Sequence, residues 1–87
     1  MSGEHTSHRD VLLRLKRAQG HLDKVIAMVE NGEPCTPTAQ QLHAVTKALE
    51  NAKRLFVQDH IDNCITTGAA RNTQEVLADL KEITKYL

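Results

Sequence analysis

The stretch HRDVLLRLKRAQGHLDKVIAMVEN, from His8 to Asn31, decides the fold. Its residues Val11, Leu15, Ala18, Leu22, Val25 and Val29 step alternately by four and three, the pattern of a helix that packs lengthwise against another helix. Leu12, Ile26 and Met28 widen the stripe beyond a two-stranded seam, which predicts a bundle. Gly20 costs this helix about 1 kcal/mol relative to alanine, so it is expected to admit close approach of another backbone. Asn31-Gly32 ends the helix, glycine suiting the left-handed position that follows one.

Glu33 to Thr36 is a short connection. Thr36-Pro37 reads as an N-cap followed by proline at the first helical position, which leaves Cys35 just outside a second helix. The dipole at that helix start favours a thiolate. Helix two is expected from Pro37 to Ile65, with Leu42, Val45, Leu49, Ala52 and Phe56 as its seam and Ala48 and Leu55 broadening it. Two matched seams joined by a short link make an antiparallel hairpin. Thr66 to Arg71, with Gly68, is expected to be a turn. Asn72-Thr73-Gln74-Glu75 then resembles a capping box opening a short third helix with Val76, Leu77, Leu80, Ile83 and Leu87 on one stripe. Met1 to Ser7 is expected to be a flexible arm. Neither β-type alternation nor an internal repeat is present, so the expected fold class is all-α: a single domain over residues 1–87, with a long hairpin and a short third helix.

Eighty-seven residues leave room for only a modest core, and oligomerisation is an expected source of further stability. With 40% hydrophobic and 25% charged residues the chain is globular, and with Phe56 and Tyr86 its only aromatic residues the core is aliphatic. No run of eighteen apolar residues exists and the residues after Met1 are polar, so the expectation is a cytoplasmic protein without a membrane span. In a reducing compartment two cysteines serve as ligands or reactive thiols more readily than as a disulfide.

His60 and Cys64 lie four residues apart, so on a helix they share one face and both reach a single metal ion. Cys35 stands twenty-five residues before His60, roughly 37 Å along a straight helix. A second copy of the helix packed antiparallel brings Cys35 beside His60 and Cys64, which predicts a two-fold dimer with two identical sites. The competing reading takes the cysteines as small buried hydrophobes and His60 as a polar helix-end residue. His5 and His8 either add a ligand or stand idle in solvent, and His43 reads as a surface residue.

Eleven basic residues balance eleven acidic ones, but unevenly along the chain. From Arg9 to Lys24 the five bases Arg9, Arg14, Lys16, Arg17 and Lys24 face only Asp10 and Asp23, whereas acids exceed bases after Phe56. Such a cluster fits either nucleic-acid contact or a solvated helix face. No triad or deep-pocket architecture is visible, and the only nucleophile and base candidates are the proposed ligands themselves, so no enzyme is expected.

Three features give the chain a resemblance to the CsoR/RcnR/FrmR family of small helical bacterial repressors, over nearly its whole length. Arg14-Leu15-Lys16-Arg17-Ala18-Gln19-Gly20-His21 resembles the family's basic RxxRxxGQ stretch, Gln40-Gln41-Leu42 resembles its QQ(L/I), and Cys35 with His60 and Cys64 matches its ligand spacing. The resemblance implies antiparallel hairpins that form a dimer of dimers, a homotetramer that binds operator DNA when unliganded and releases it when an inducer binds. The Cys35, His60, Cys64 set is similar to that of the copper(I) sensors, and two thiolates with an imidazole suit Cu(I). The alternatives are a nickel, cobalt or zinc sensor that takes an extra ligand from His5 or His8, and a thiol sensor of formaldehyde or persulfide acting through Cys35. For DNA, no helix-turn-helix signature is present, and the resemblance points to Arg14, Lys16 and Arg17, with Gln40, Gln41, Lys47, Lys53 and Arg54 as further candidates. The chain departs from the copper sensors at Pro34, where tyrosine is frequent, near Leu80, where a glutamate is aligned, and at His21, where glutamine is usual.

Overall fold

The four-and-three stepping closes into helix α1 over Thr6–Glu30, followed by α2 over Cys35–Thr67, α3 over Thr73–Ile83 and a 3-10 turn over Thr84–Tyr86. The computed structural model describes the backbone of residues 6–67 and 72–87 and the side chains of residues 8–63 and 72–87. The described residues contain no strand. The all-α reading holds, with α1 and α2 packed as a hairpin and α3 folded onto α2.

Three boundaries differ from expectation. Helix α1 begins at Thr6, so Thr6 and Ser7 are helical rather than part of an arm, and His8 anchors this first turn to α2. Helix α2 begins at Cys35, because the Pro34 carbonyl already accepts Thr38 N at 3.3 Å and Thr38 Oγ1 at 2.9 Å. Thr36 is therefore inside the helix, and Pro37 occupies its third position, where a missing N–H still costs no intrahelical bond. At the other end α2 continues through Thr66 and Thr67, while the rest of the expected turn lies outside the described residues.

The hairpin link is built as expected from Gly32, whose φ of 66° is left-handed. Glu33 N donates to Met28 O at 3.0 Å and Gly32 N to Val29 O at 3.1 Å, the paired bonds of a Schellman ending. Helix α3 opens on Asn72, whose Oδ1 accepts from Gln74 N at 2.7 Å.

Each expected seam divides in two. On α1, Val11, Ala18 and Val25 are buried while Leu15, Leu22 and Val29 are exposed; on α2, Val45 and Ala52 are buried while Leu42, Leu49 and Phe56 are exposed. The small members lie between the two helices, where they permit close packing, and the large members form a second stripe rotated about 40 to 50° from the first. In an antiparallel pair this rotation carries both outer stripes to the same side of the hairpin. The molecule measures 55 × 25 × 14 Å. Its radius of gyration, 17.4 Å, exceeds the roughly 12 Å of a compact globule of this length, so the chain is a plate one helix thick.

Gly20 does not serve a close approach within the chain: a Cβ there meets nothing within 4 Å. The residue lies on the outer side of α1, away from the α2 contact.

Candidate functional site

Cys35 and His60 stand on one unbroken helix, about seven turns apart, so their directions differ by only about 20° around the axis. Cys64 falls about 20° from Cys35 in the opposite sense, although its side chain lies outside the described residues. Leu42, Leu49 and Phe56 follow Cys35 at intervals of seven, so the thiol, the exposed apolar stripe and the imidazole share one side of the plate. Cys35 is exposed and His60 half-buried. Among the described residues, no three His, Cys, Asp or Glu side chains gather at metal-binding distance within one chain.

The His60 end of this stripe is met by the start of α1. His8 stacks on Phe56 with ring centroids 5.0 Å apart and planes inclined by 14°. Its Nε2 lies 3.0 Å from Asp59 Oδ2. An N-terminal imidazole is thus held one turn before His60, whereas His5 lies outside the described residues. At the other end, Cys35, Thr36, Ala39, Gln40 and His43 line a shallow, mostly apolar depression of about 450 Å³. His43 is two turns, roughly 12 Å, from Cys35, too far for both to hold one ion within a chain.

The opposite side of the plate is basic. Arg14, Arg17, Ala18 and His21 of α1 face Ala48 and Asn51 of α2 across a cleft of about 220 Å³. Arg14 Nε donates to Asp10 Oδ2 at 3.3 Å, and Arg54 Nη1 donates to Asn51 Oδ1 at 2.9 Å, which puts Arg54 at the cleft's edge. The other candidates for DNA contact are dispersed. Lys16 lies about 200° around α1 from Arg14. Lys47 lies 3.9 Å from Glu50, Gln40 lines the Cys35 depression, and Lys53 with Arg54 lines a separate recess beside Leu87. Gln41 Oε1 accepts from His21 Nε2 at 2.7 Å and is half-buried.

That last bond gives His21 a role the sequence left unexplained: it ties α1 to α2 beside the two arginines. The continuous Cys35, Leu42, Leu49, Phe56 stripe was also missed, although its heptad spacing was legible.

A family model described as metal-sensitive transcriptional repressor matches residues 7–87. The copper-sensing transcriptional repressor CsoR of Mycobacterium ulcerans (strain Agy99) is 42% identical over 88 residues, which cover 99% of this chain and 75% of that protein. CsoR of Mycobacterium tuberculosis (strain H37Rv) is 33% identical over 99% of this chain and 74% of its own length. Among solved structures, the nickel-responsive transcriptional regulator InrS superposes with a TM-score of 0.78 at 37% identity, covering 100% of this chain and 98% of that one.

Proposed function

This chain belongs to the metal-sensitive transcriptional repressor family, and from that premise we propose that it is a Cu(I)-responsive repressor whose sensing site spans two subunits. The observation that carries this reading is the placement of Cys35 and His60 about seven turns apart on one stripe of α2, with Cys64 one turn beyond. A second copy laid antiparallel along the stripe matches Cys35 with the His60 and Cys64 positions at both ends at once. The same contact covers Leu15, Leu22, Val29, Leu42, Leu49 and Phe56, the second layer that a plate one helix thick lacks. Pairing the hairpins again yields the tetramer and leaves the basic clefts facing outward.

Two thiolates and an imidazole form a soft, three-coordinate donor set, which suits Cu(I). Binding ties the start of one α2 to the end of the other, so it favours one packing of the hairpins over the rest. The basic clefts ride on the same helices. Their spacing changes with that packing, and a repressor that fits DNA in one packing loses it in the other.

The test is anaerobic titration of the tetramer while it holds a duplex that the metal-free protein has selected from a randomised library. Expected are roughly one Cu(I) per chain, thiolate-to-metal absorption, and release of the duplex, all lost in Cys35→Ala and His60→Ala. Release that persists in His60→Ala overturns the site. Release by an aldehyde or persulfide but not by Cu(I) transfers the function to the Cys35 thiol.

Nickel is the second reading. It is favoured by the likeness to InrS and by His8, which the Phe56 stack holds one turn from His60 as an additional nitrogen donor.

A further inference from the structure

We propose that the outer face of α1 is a self-complementary docking surface for the α1 of a second copy laid antiparallel, and that this contact joins one dimer to another. The inference rests on the repressor reading for the dimer alone and adds to it the surface that pairs dimers. Arg9, Lys16, Asp23 and Glu30 follow one another at intervals of seven and form a single row along the helix. The row lies about 150° around α1 from the buried Val11, Ala18 and Val25, so it points away from α2. It is also about 110° from Leu15, Leu22 and Val29, so it stays open when the apolar stripe is covered.

The order of charge in this row calls for a partner. Arg9 is in the first turn of α1 and Glu30 is its last residue, with no acid in the first turn and no base in the last. That is the reverse of what a helix dipole favours. Among the described residues, none of the four charges makes an ion pair within the chain. An antiparallel copy turned about the point between Gln19 and Gly20 sets Arg9 beside Glu30 and Lys16 beside Asp23, and two-fold symmetry makes each pair twice. A parallel copy sets like charge on like. The same axis brings Leu12 beside Ile26 along one flank of the row and Leu13 beside Ala27 along the other. Leu12 and Leu13 are each 51% exposed in the single chain and Ile26 is 47% exposed, so apolar surface is available on both flanks. Gly20 lies at the centre with open space around it. Helix axes about 8 to 10 Å apart admit glycine or alanine at such a point, so the leucines and the charges hold the contact.

The experiment compares full-length chains, metal-free in chelator, by sedimentation velocity and native mass spectrometry over a dilution series. One exposed charge reversal is worth little, so each variant reverses both charges of one sign. Arg9→Glu with Lys16→Glu makes the row wholly acidic, and Asp23→Lys with Glu30→Lys makes it wholly basic. Each variant alone is expected to raise the dimer–tetramer dissociation constant at least about tenfold and to remain a helical dimer. An equimolar mixture of the two is expected to recover tetramers built from one acidic and one basic dimer, because every repulsion becomes an attraction. Variants that stay tetrameric alone overturn the proposal. So does a mixture that recovers nothing while both parents keep their helicity, since the loss is then not one of complementarity. Dissociation to monomers also overturns it, because the row then belongs to the contact within the dimer. A wild-type chain that never exceeds a dimer removes this surface and leaves the Cu(I) reading standing, since each dimer still holds two complete sites.

Discussion

His8 stacks on Phe56 and so joins the first turn of α1 to the far half of α2, next to His60. A near-parallel ring pair of this kind is worth about 1 kcal/mol. The partly exposed His8 and Asp59 pair adds less because water screens it. His8→Ala should lower the denaturation midpoint modestly and speed amide exchange in the first two turns of α1, which exchange mass spectrometry resolves. The same variant separates the two metals: loss of Ni(II) affinity with Cu(I) affinity retained supports nickel, and equal retention of both excludes His8 as a ligand.

The two described glycines should respond in opposite directions. Gly32 is left-handed, so Gly32→Ala forces a side chain into a conformation costing about 1 kcal/mol and loosens the Schellman ending. Gly20 has open space around it, so Gly20→Ala should stabilise α1 by about 1 kcal/mol. Urea midpoints of the two variants at matched protein concentration check both signs. A destabilising Gly20→Ala would place a partner chain against that face.

Charging the exposed stripe should dissolve the assembly. Leu49 is 42% exposed in the single chain yet occupies the middle of the proposed contact. Leu49→Glu buries an unpaired carboxylate if that contact forms, which costs several kcal/mol. Analytical ultracentrifugation should show smaller species with diminished helicity, whereas Lys16→Glu, on another face of α1, should leave the mass unchanged.

Subunit mixing tests the bridging geometry independently of the metal. A Cys35→Ala chain retains His60 and Cys64, and a Cys64→Ala chain retains Cys35 and His60. Each homodimer has two damaged sites, but their heterodimer regains one complete site and leaves the other without either thiol. Tight Cu(I) binding should return at about half the wild-type stoichiometry, because a broken ligand set loses much of its affinity. Binding as weak as in the parents, with subunit exchange verified, removes the shared site.

The number, order and pairing of the helices were legible because four-and-three stepping has one economical solution. The division of each seam was harder to read, since Val11 and Leu15 are alike in polarity and differ mainly in size. The structure shows that size is the discriminant: valine and alanine fill the narrow space inside the hairpin, and leucine and phenylalanine are displaced outward. The start of α2 was misplaced by two residues because proline is equally free of cost anywhere in a first turn. His21 remained unexplained because its partner Gln41 is on a different helix, brought near by the hairpin rather than by sequence spacing.

The unbroken run of α2 from Cys35 past His60 also determines how faults are inherited. In the proposed pairing no chain uses its own thiol with its own imidazole. A chain lacking Cys35 therefore silences a site whose other ligands belong to its neighbour, while its own His60 and Cys64 remain available to an intact partner. A cell carrying one damaged and one sound allele would contain mixed tetramers in which healthy ligands sit idle. Such a mutation behaves as partly dominant, and its phenotype is continued silence of the regulated genes in the presence of the inducer.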